Sequence, residues 1–264
     1  MNILICLKQV PEKDSHYKID SSGIGVSDDN LAFETNESDL YALEEGLRLK
    51  ERVGGKVVAL SLGPERVEKV LRNALAMGAD SALHVKDENF DGRDAWVTAQ
   101  TIVAAIPQIE FDLILTGVQS EDMGHGQTGT MIAQLLGWSH ATIVTSVDVV
   151  DGCSRLQVKR ELGGNEFERI ELQLPVVLTI QSGINQIRYV TLKGILQAKN
   201  KLYKIISTDD LDLESGMIGV ESSKVKPQEL LVPQKKRQTV MIEGKAEVAA
   251  KSLIDRLQKE AKVL

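Results

Sequence analysis

Cysteine is scarce in this 264-residue chain, positive charge is in deficit and no long apolar run occurs. Cys6 and Cys153 stand far apart, one in an apolar strand-like run and one in a turn, and neither belongs to a C-x-x-C or Cys/His spacing. Zinc and dithiol chemistry therefore lack their usual sequence basis, and both residues read as inert reduced thiols. Lys plus Arg number 31 against 38 Asp plus Glu, a formal charge of -7, which argues against broad attraction to nucleic acid or to an anionic membrane. No segment approaches the roughly 18 to 20 apolar residues of a membrane span. The start, MNILICLKQV, has an apolar run too short for a secretory signal and no cationic stretch before it, so a cytoplasmic location without membrane insertion is expected. Also missing are G-x-S-x-G, H-E-x-x-H and the Walker G-x-x-x-x-G-K, so nothing points to a protein nucleophile, a zinc hydrolase or a P-loop.

What is there is an ordinary globular composition, 42% hydrophobic, enough for one large core or two modest ones. NILICL, EEGLRLKERVGG, KVVALSLG, PERVEKVLRNALAMG, SALHV, DAWVTAQTIVAAI, DLILTG and QTGTMIAQLLGW alternate strand-like and helix-like. The helical pieces carry ordinary punctuation. Asn36 is placed to cap with Asp39 three residues on, Gly54-Gly55 ends that helix, and Glu44 to Arg48 is an i,i+4 pair. Pro64 suits the first turn of the next helix, and Gly78 its stop. Repeated βα units with β-rich runs predict a doubly wound, mostly parallel α/β sheet with helices on both faces.

From about residue 141 to 181 the pattern changes to ATIVTSVDVV, SRLQVKREL, EFERIELQL and PVVLTIQ, four strand-like stretches without a helix between them. They read as an antiparallel addition, with Gly163-Gly164-Asn165 as a hairpin turn. Beyond about 205 the composition loosens, with Pro227 and Pro233 and little periodicity, so 1–204 is expected as the α/β domain and 205–264 as an extended arm. The arm ends in a helical stripe of Val248, Ala249, Ile254, Leu257, Ala261 and Leu264, which needs either its own sheet or another subunit to pack on.

Gly124, Gly126 and Gly129 spell a literal G-x-G-x-x-G. A dinucleotide fingerprint needs those glycines in the first βα turn and an acid about 20 residues later at a strand end. Here they follow the fourth strand of the series, and Asp148 lies inside a strand-like run, so the match is weak. The physics of an anion site is present all the same. Gly124 and Gly126 permit close backbone approach, and Gln127, Thr128 and Gly129 offer the first N–H groups of a helix, where the dipole favours phosphate. Ser61-Leu62-Gly63-Pro64 is a second glycine turn after a parallel strand. Two readings stand: both turns face one nucleotide, or the glycines only make tight turns.

NESDLYALEEGLRLKE, LRNALAMGAD, DLILTGVQSED followed by GQTGTMIAQLLGW, LQLPVVLT and RYVTLKGILQAKNK together, in this order, resemble the β subunit of electron transfer flavoprotein (ETF). The resemblance implies a Rossmann-like fold of the adenine nucleotide α-hydrolase-like kind. It further implies a heterodimer with an ETF α subunit that holds most of an FAD, and an AMP of structural role in β, or a second FAD there in the electron-bifurcating branch. By the same resemblance the nucleotide touches Cys6, Lys8, Asn36, Ser61, Leu62 and Gly63, and its phosphate lies at Gln127, Thr128 and Gly129, in a loop that also carries Asp122 and Gly126. The run GQTG looks like the AMP branch, while Met123, Gly124 and His125 depart from both branches. Ser38 replaces a position often aromatic in the family, near the flavin.

RYVTLKGILQAKNK resembles the family's recognition loop, which implies Leu192 as an anchor on acyl-CoA dehydrogenases, with Lys193 and Ile195 beside it; the other reading makes Leu192 and Ile195 core residues of a short helix. The expected function is electron carriage from such a dehydrogenase to a membrane quinone oxidoreductase or another acceptor, with no catalytic side chain. A free-standing adenine-nucleotide sensor resembling universal stress proteins is the rival of another class. An ATP-cleaving enzyme of similar topology would show a Ser-Gly-Gly-x-Asp loop where this chain has LKQVPEKD.

Overall fold

The computed structural model describes residues 1–88, 93–106, 111–211, 220–233 and 239–263. They form two compact units, Met1–Gln228 and Glu229–Leu264. The first contains β1 (Asn2–Cys6), β2 (Gln9–Pro11), β3 (Phe33–Thr35), α1 (Glu37–Val53), β4 (Lys56–Gly63), α2 (Glu68–Met77), β5 (Ser81–Lys86), α3 (Ala95–Ala105), β6 (Leu113–Gly117) and α4 (Thr128–Leu136). It continues with β7 (Ser139–Val150), β8 (Arg155–Gly163), β9 (Glu166–Gln173), β10 (Val176–Ile180), α5 (Leu192–Ala198) and β11 (Leu202–Ser207).

Nine strands form one sheet in the order β11-β5-β4-β1-β6-β10-β7-β8-β9. It is parallel from β11 through β7, and the β7-β8-β9 meander is antiparallel. Leu43 and Leu47 of α1 and Leu71 and Leu75 of α2 pack on one face; Ala99 and Ile102 of α3 and Ile132 of α4 pack on the other. The expected doubly wound, mostly parallel sheet is therefore what forms. The hairpin turn behaves as its residues demand, with Gly164 and Asn165 both at positive φ between β8 and β9, as a two-residue type I′ turn requires.

Two expectations about these elements need correction. Strand β10 does not belong to the antiparallel addition; it lies parallel between β6 and β7. All five of its residues are buried, and a strand covered on both faces belongs inside a parallel sheet; the β8–β9 hairpin serves as the connection that elsewhere would be a helix. Between β1 and α1 the chain also forms a short antiparallel ribbon of β2 and β3, each three residues long. Second, Asn36 precedes α1 but makes no side-chain cap, its amide being engaged elsewhere.

The boundary expected after residue 204 falls inside β11, which completes the sheet beside β5. Residues 223–225 are also fastened to the first unit. Asp94 caps α3 by accepting from Val97 N–H, and its other oxygen accepts from Lys224 N–H at 2.6 Å and Val225 N–H at 2.9 Å. In the second unit α6 (Ala246–Arg256) has no buried residue; Val248 and Ile254 of the expected apolar stripe are exposed, as is Leu253 beside them. Leu264 lies outside the described residues.

Candidate nucleotide site

Chain order runs outward from β1 to β4 and β5 on one side, then returns to β6 on the other. Strand β1 is thus the switch point of the sheet, and in open α/β sheets ligands sit in the crevice outside the carboxyl ends of strands at such a point. Two segments leave the sheet there, Lys8 after β1 and the loop 118–127 after β6. They are joined by charge: Lys8 Nζ donates to both Asp122 carboxylate oxygens, at 2.6 and 2.7 Å, and to Ser120 Oγ at 3.4 Å. Burial pushes the Asp122 carboxyl up, and the Lys8 ammonium, together with hydrogen bonds from Ser120 and Met123 N–H, more than offsets it, holding the group below the usual carboxylate range.

The loop is held from beneath by the head of α1. Asn36 Nδ2 donates to Ser38 Oγ and to Gln119 O, Ser38 Oγ donates to Gln119 O, and Asn36 Oδ1 accepts from Glu121 N–H, all between 2.8 and 3.0 Å. Exposed Lys13 adds pairs to Glu37 and Glu121. Asp39 clamps the two strand ends themselves, accepting from Lys8 N–H at 2.8 Å and from Gly117 N–H at 2.7 Å. Burial raises its pKa to about 6, and the two N–H donors act against that rise. A side chain at Gly117 would collide with Ser38 Oγ and Asp39, so glycine is required where β6 ends.

Helix α4 starts at Thr128 with no side chain capping its first turn, which leaves the positive end of the helix open. Gly124 and Gly126 both take positive φ, near +64° and +63°, conformations that other residues adopt only with strain. Gly129 has a different task. A methyl there would stand 2.6 Å from Thr179 Cγ2 and 2.7 Å from Thr116 Oγ1, so its bare Cα seats the helix on β6 and β10.

Of the residues expected at a nucleotide, Lys8, Asp122, Gly126 and Gln127 are exposed on this loop and strand end, Thr128 is half-buried and Gly129 is packed beneath. The others stand differently. Asn36 is 1% exposed, with both ends of its amide committed to the loop. Cys6 is buried in the core under α3 and α4, and burial, with Asp39 nearby, pushes its thiol far up, as befits an inert free thiol. Ser61 is fully buried and its hydroxyl has no partner; Leu62 packs half-buried against the same core as Cys6. Gly63 O accepts from His84 Nε2–H at 3.0 Å, which leaves Nδ1 to accept from Tyr203 O–H at 3.1 Å. What the end of β4 offers the crevice is therefore backbone. Sequence reasoning missed Asp39 as a clamp and Ser38 as a pin, because their partners lie some 80 positions away and carry no local mark.

The second set of expected residues lies on α5. Leu192 is 74% exposed and Ile195 46%, so neither is a core residue, and Lys193 is exposed as well. Ile195 also borders a groove of about 790 Å³ between α5, α2 and the β2–β3 ribbon, a groove that none of the expected nucleotide residues lines. Among the described residues no cluster of His, Cys, Asp or Glu is arranged to hold a metal ion, and no helix is long and apolar enough to cross a membrane.

Fold and site together define a doubly wound α/β protein with a switch-point crevice, a lysine–aspartate pair across it and an open helix head beside it. A family model described as "electron transfer flavoprotein domain" matches residues 24–210. The electron transfer flavoprotein subunit beta of Methylophilus methylotrophus is 37% identical over 254 residues, covering 95% of this chain and 96% of that protein. The Bacillus subtilis protein of the same name is 34% identical and covers both chains entirely. A caffeyl-CoA reductase-Etf complex subunit of Acetobacterium woodii is 33% identical, over 98% of this chain and 99% of that one. The chain belongs to the electron transfer flavoprotein family, among its β subunits.

Proposed function

We propose that this chain is the β half of a heterodimeric electron carrier. It accepts electrons from an acyl-CoA dehydrogenase-type donor and passes them to a membrane quinone oxidoreductase or another acceptor, with AMP in its own crevice and FAD at the interface with an α subunit. The observation that carries the reading is the meeting, at the β1/β6 switch point, of Lys8, the pinned loop 118–127 and the uncapped head of α4. These residues fit a nucleoside monophosphate. The N–H groups of Gln127, Thr128 and Gly129 suit phosphate oxygens, Gly126 lets the backbone approach closely, and Lys8 both neutralises Asp122 and offers a cation. Buried Asn36, Ser38 and Asp39 hold that surface in shape rather than touching the ligand.

The flavin, when bound, supplies the reversible uptake of electrons, and the protein supplies position and electrostatics. No residue here is assigned bond-making work. Leu192, with Lys193 and Ile195, is the docking surface for the donor. The name of the Acetobacterium woodii relative supports an enzyme acting on a CoA ester as the partner class. The exposed apolar stripe of α6 supports packing of the C-terminal unit on the α subunit, and the naming of the full-length relatives as β subunits weighs against a free-standing sensor.

The test is to purify the chain with its co-expressed α subunit, release the nucleotides and identify them by chromatography. One AMP and one FAD per pair is the expected result. Two FAD would move the reading to the electron-bifurcating branch, and a pair without any nucleotide in the β crevice would refute it.

A further inference from the structure

Helix α5 has seven residues, of which only Ala198 is buried, and a helix that short does not hold its shape in water by itself. Its surroundings fasten it at three points. Before it, the Arg188 guanidinium forks onto two carboxylates of α1, Nε to Glu44 at 2.7 Å and Nη1 to Glu51 at 2.7 Å, while Arg48 Nη2 donates to Gln186 O and Asn185 Nδ2 to Tyr41 O and Glu45. Within it, Gly194 lies so close to Ala76 O of α2 that any side chain would collide. After it, Lys201 Nζ donates to Leu75 O at 2.8 Å and Ala79 O at 2.7 Å, the carbonyls where α2 ends.

The fastened base carries a bare apolar crown: Tyr189 is 92% exposed and Leu192 74%, with Leu196 exposed beside them. Isolated apolar side chains on a surface need no explanation, but Leu192 and Leu196 on a helix fixed at both ends and in the middle, and Tyr189 next to the clasped Arg188 on the segment leading into it, are carried on pre-ordered backbone, and pre-ordering removes a cost that docking would otherwise carry. We propose that Arg188 and Lys201 are positioning residues for partner docking, which lock α5 so that Tyr189 and Leu192 are presented in one fixed arrangement. This rests on the docking role given to Leu192 above. Tyr189 supplies an aromatic contact beside the aliphatic anchor, a pairing suited to the centre of an interface.

The test uses the assembled, flavin-loaded pair and steady-state reduction by an acyl-CoA dehydrogenase supplied with octanoyl-CoA. Arg188→Gln is expected to raise the KM for the carrier roughly tenfold at unchanged kcat and unchanged flavin content, and to speed amide hydrogen exchange across 191–198. Arg188→Lys, which keeps the charge but not the fork, should fall between. In a Leu192→Ala background the Arg188→Gln increment should shrink, and with Tyr189→Ala added it should vanish, because Arg188 acts only through what the segment presents. An equal increment in every background, or faster exchange with an unmoved KM, overturns the proposal while leaving the docking role of Leu192 intact. A silent Leu192→Ala overturns that role and this proposal with it. Should Arg188→Gln fail to assemble, Glu51→Gln keeps the buried Glu44 pair and should raise KM about twofold to threefold; no change there counts against the clasp.

Discussion

Replacing Gly129 with alanine tests how α4 is seated. The added methyl would lie about 0.8 Å inside ordinary contact with Thr179 Cγ2, and nearly as far inside contact with Thr116 Oγ1. Neither threonine can swing away cheaply. Both are buried on central strands, Thr179 Oγ1 accepts from Ile143 N–H at 3.2 Å, and Thr116 Oγ1 donates to Gly117 O at 2.9 Å. The helix must therefore lift. Overpacking of this kind costs about 1–3 kcal/mol, and in a chain of this size each kcal/mol moves the melting temperature by about 2–4 °C. If AMP binds as proposed, the same lift carries the amides of Gln127, Thr128 and Gly129 off its phosphate, and AMP affinity measured by calorimetry should fall roughly tenfold or more. Gly124→Ala is the control. It meets no neighbour within 4 Å and suffers only its positive φ, about 1–2 kcal/mol of local strain, so it should destabilise the loop while largely sparing affinity. If Gly129→Ala melted and bound like the parent while Gly124→Ala lost AMP, the glycines would be serving loop conformation alone and the seating argument would be wrong.

The Asp39 clamp should show in pH dependence. Its folded pKa, about 6, lies above the ordinary value near 3.8, so its contribution to stability is fully present below that ordinary value and is lost as pH rises through 6. At 1.36 kcal/mol per pKa unit the swing is about 3 kcal/mol. Urea titrations of parent and Asp39→Asn from pH 4 to 8 should therefore diverge by that order, and parallel curves would remove Asp39 as the titrating group. Under the proposed nucleotide reading, Lys8→Met should weaken AMP binding about tenfold, because a cation is lost and Asp122 is left uncompensated beside the proposed phosphate position. Adding Asp122→Asn should recover part of the loss, and no recovery in the double variant would contradict the neutralising role.

The alternation of strand and helix was legible because each apolar run is bounded by its own punctuation, such as Gly54-Gly55 and Gly78, which indeed end α1 and α2. The place of β10 was not, since PVVLTIQ reads the same as a hairpin partner of the preceding strand or as an inserted parallel strand; only the finished sheet decides. The three-residue strands β2 and β3 are too short to leave a periodic signal. At the site, the glycine turn and helix head could be read locally. The contacts that shape them could not: the Lys8–Asp122 pair joins residues 114 positions apart, and Asn36, whose type and place suit a helix cap, is drawn instead into the loop at Gln119 and Glu121. Local preference yielded there to a tertiary contact.

The position of β10 also sets a schedule for synthesis. Strand β6 ends at Gly117 and its neighbour begins at Val176, so the growing chain carries LILTG with one unpaired side until the whole β7–β9 meander has been made. At about 5–20 residues per second that interval lasts on the order of 3–12 s, during which an apolar strand flank lies open to any other nascent chain. A polypeptide truncated before residue 176 should accordingly precipitate, and ribosome-associated holdases have a defined window in which to act on this protein.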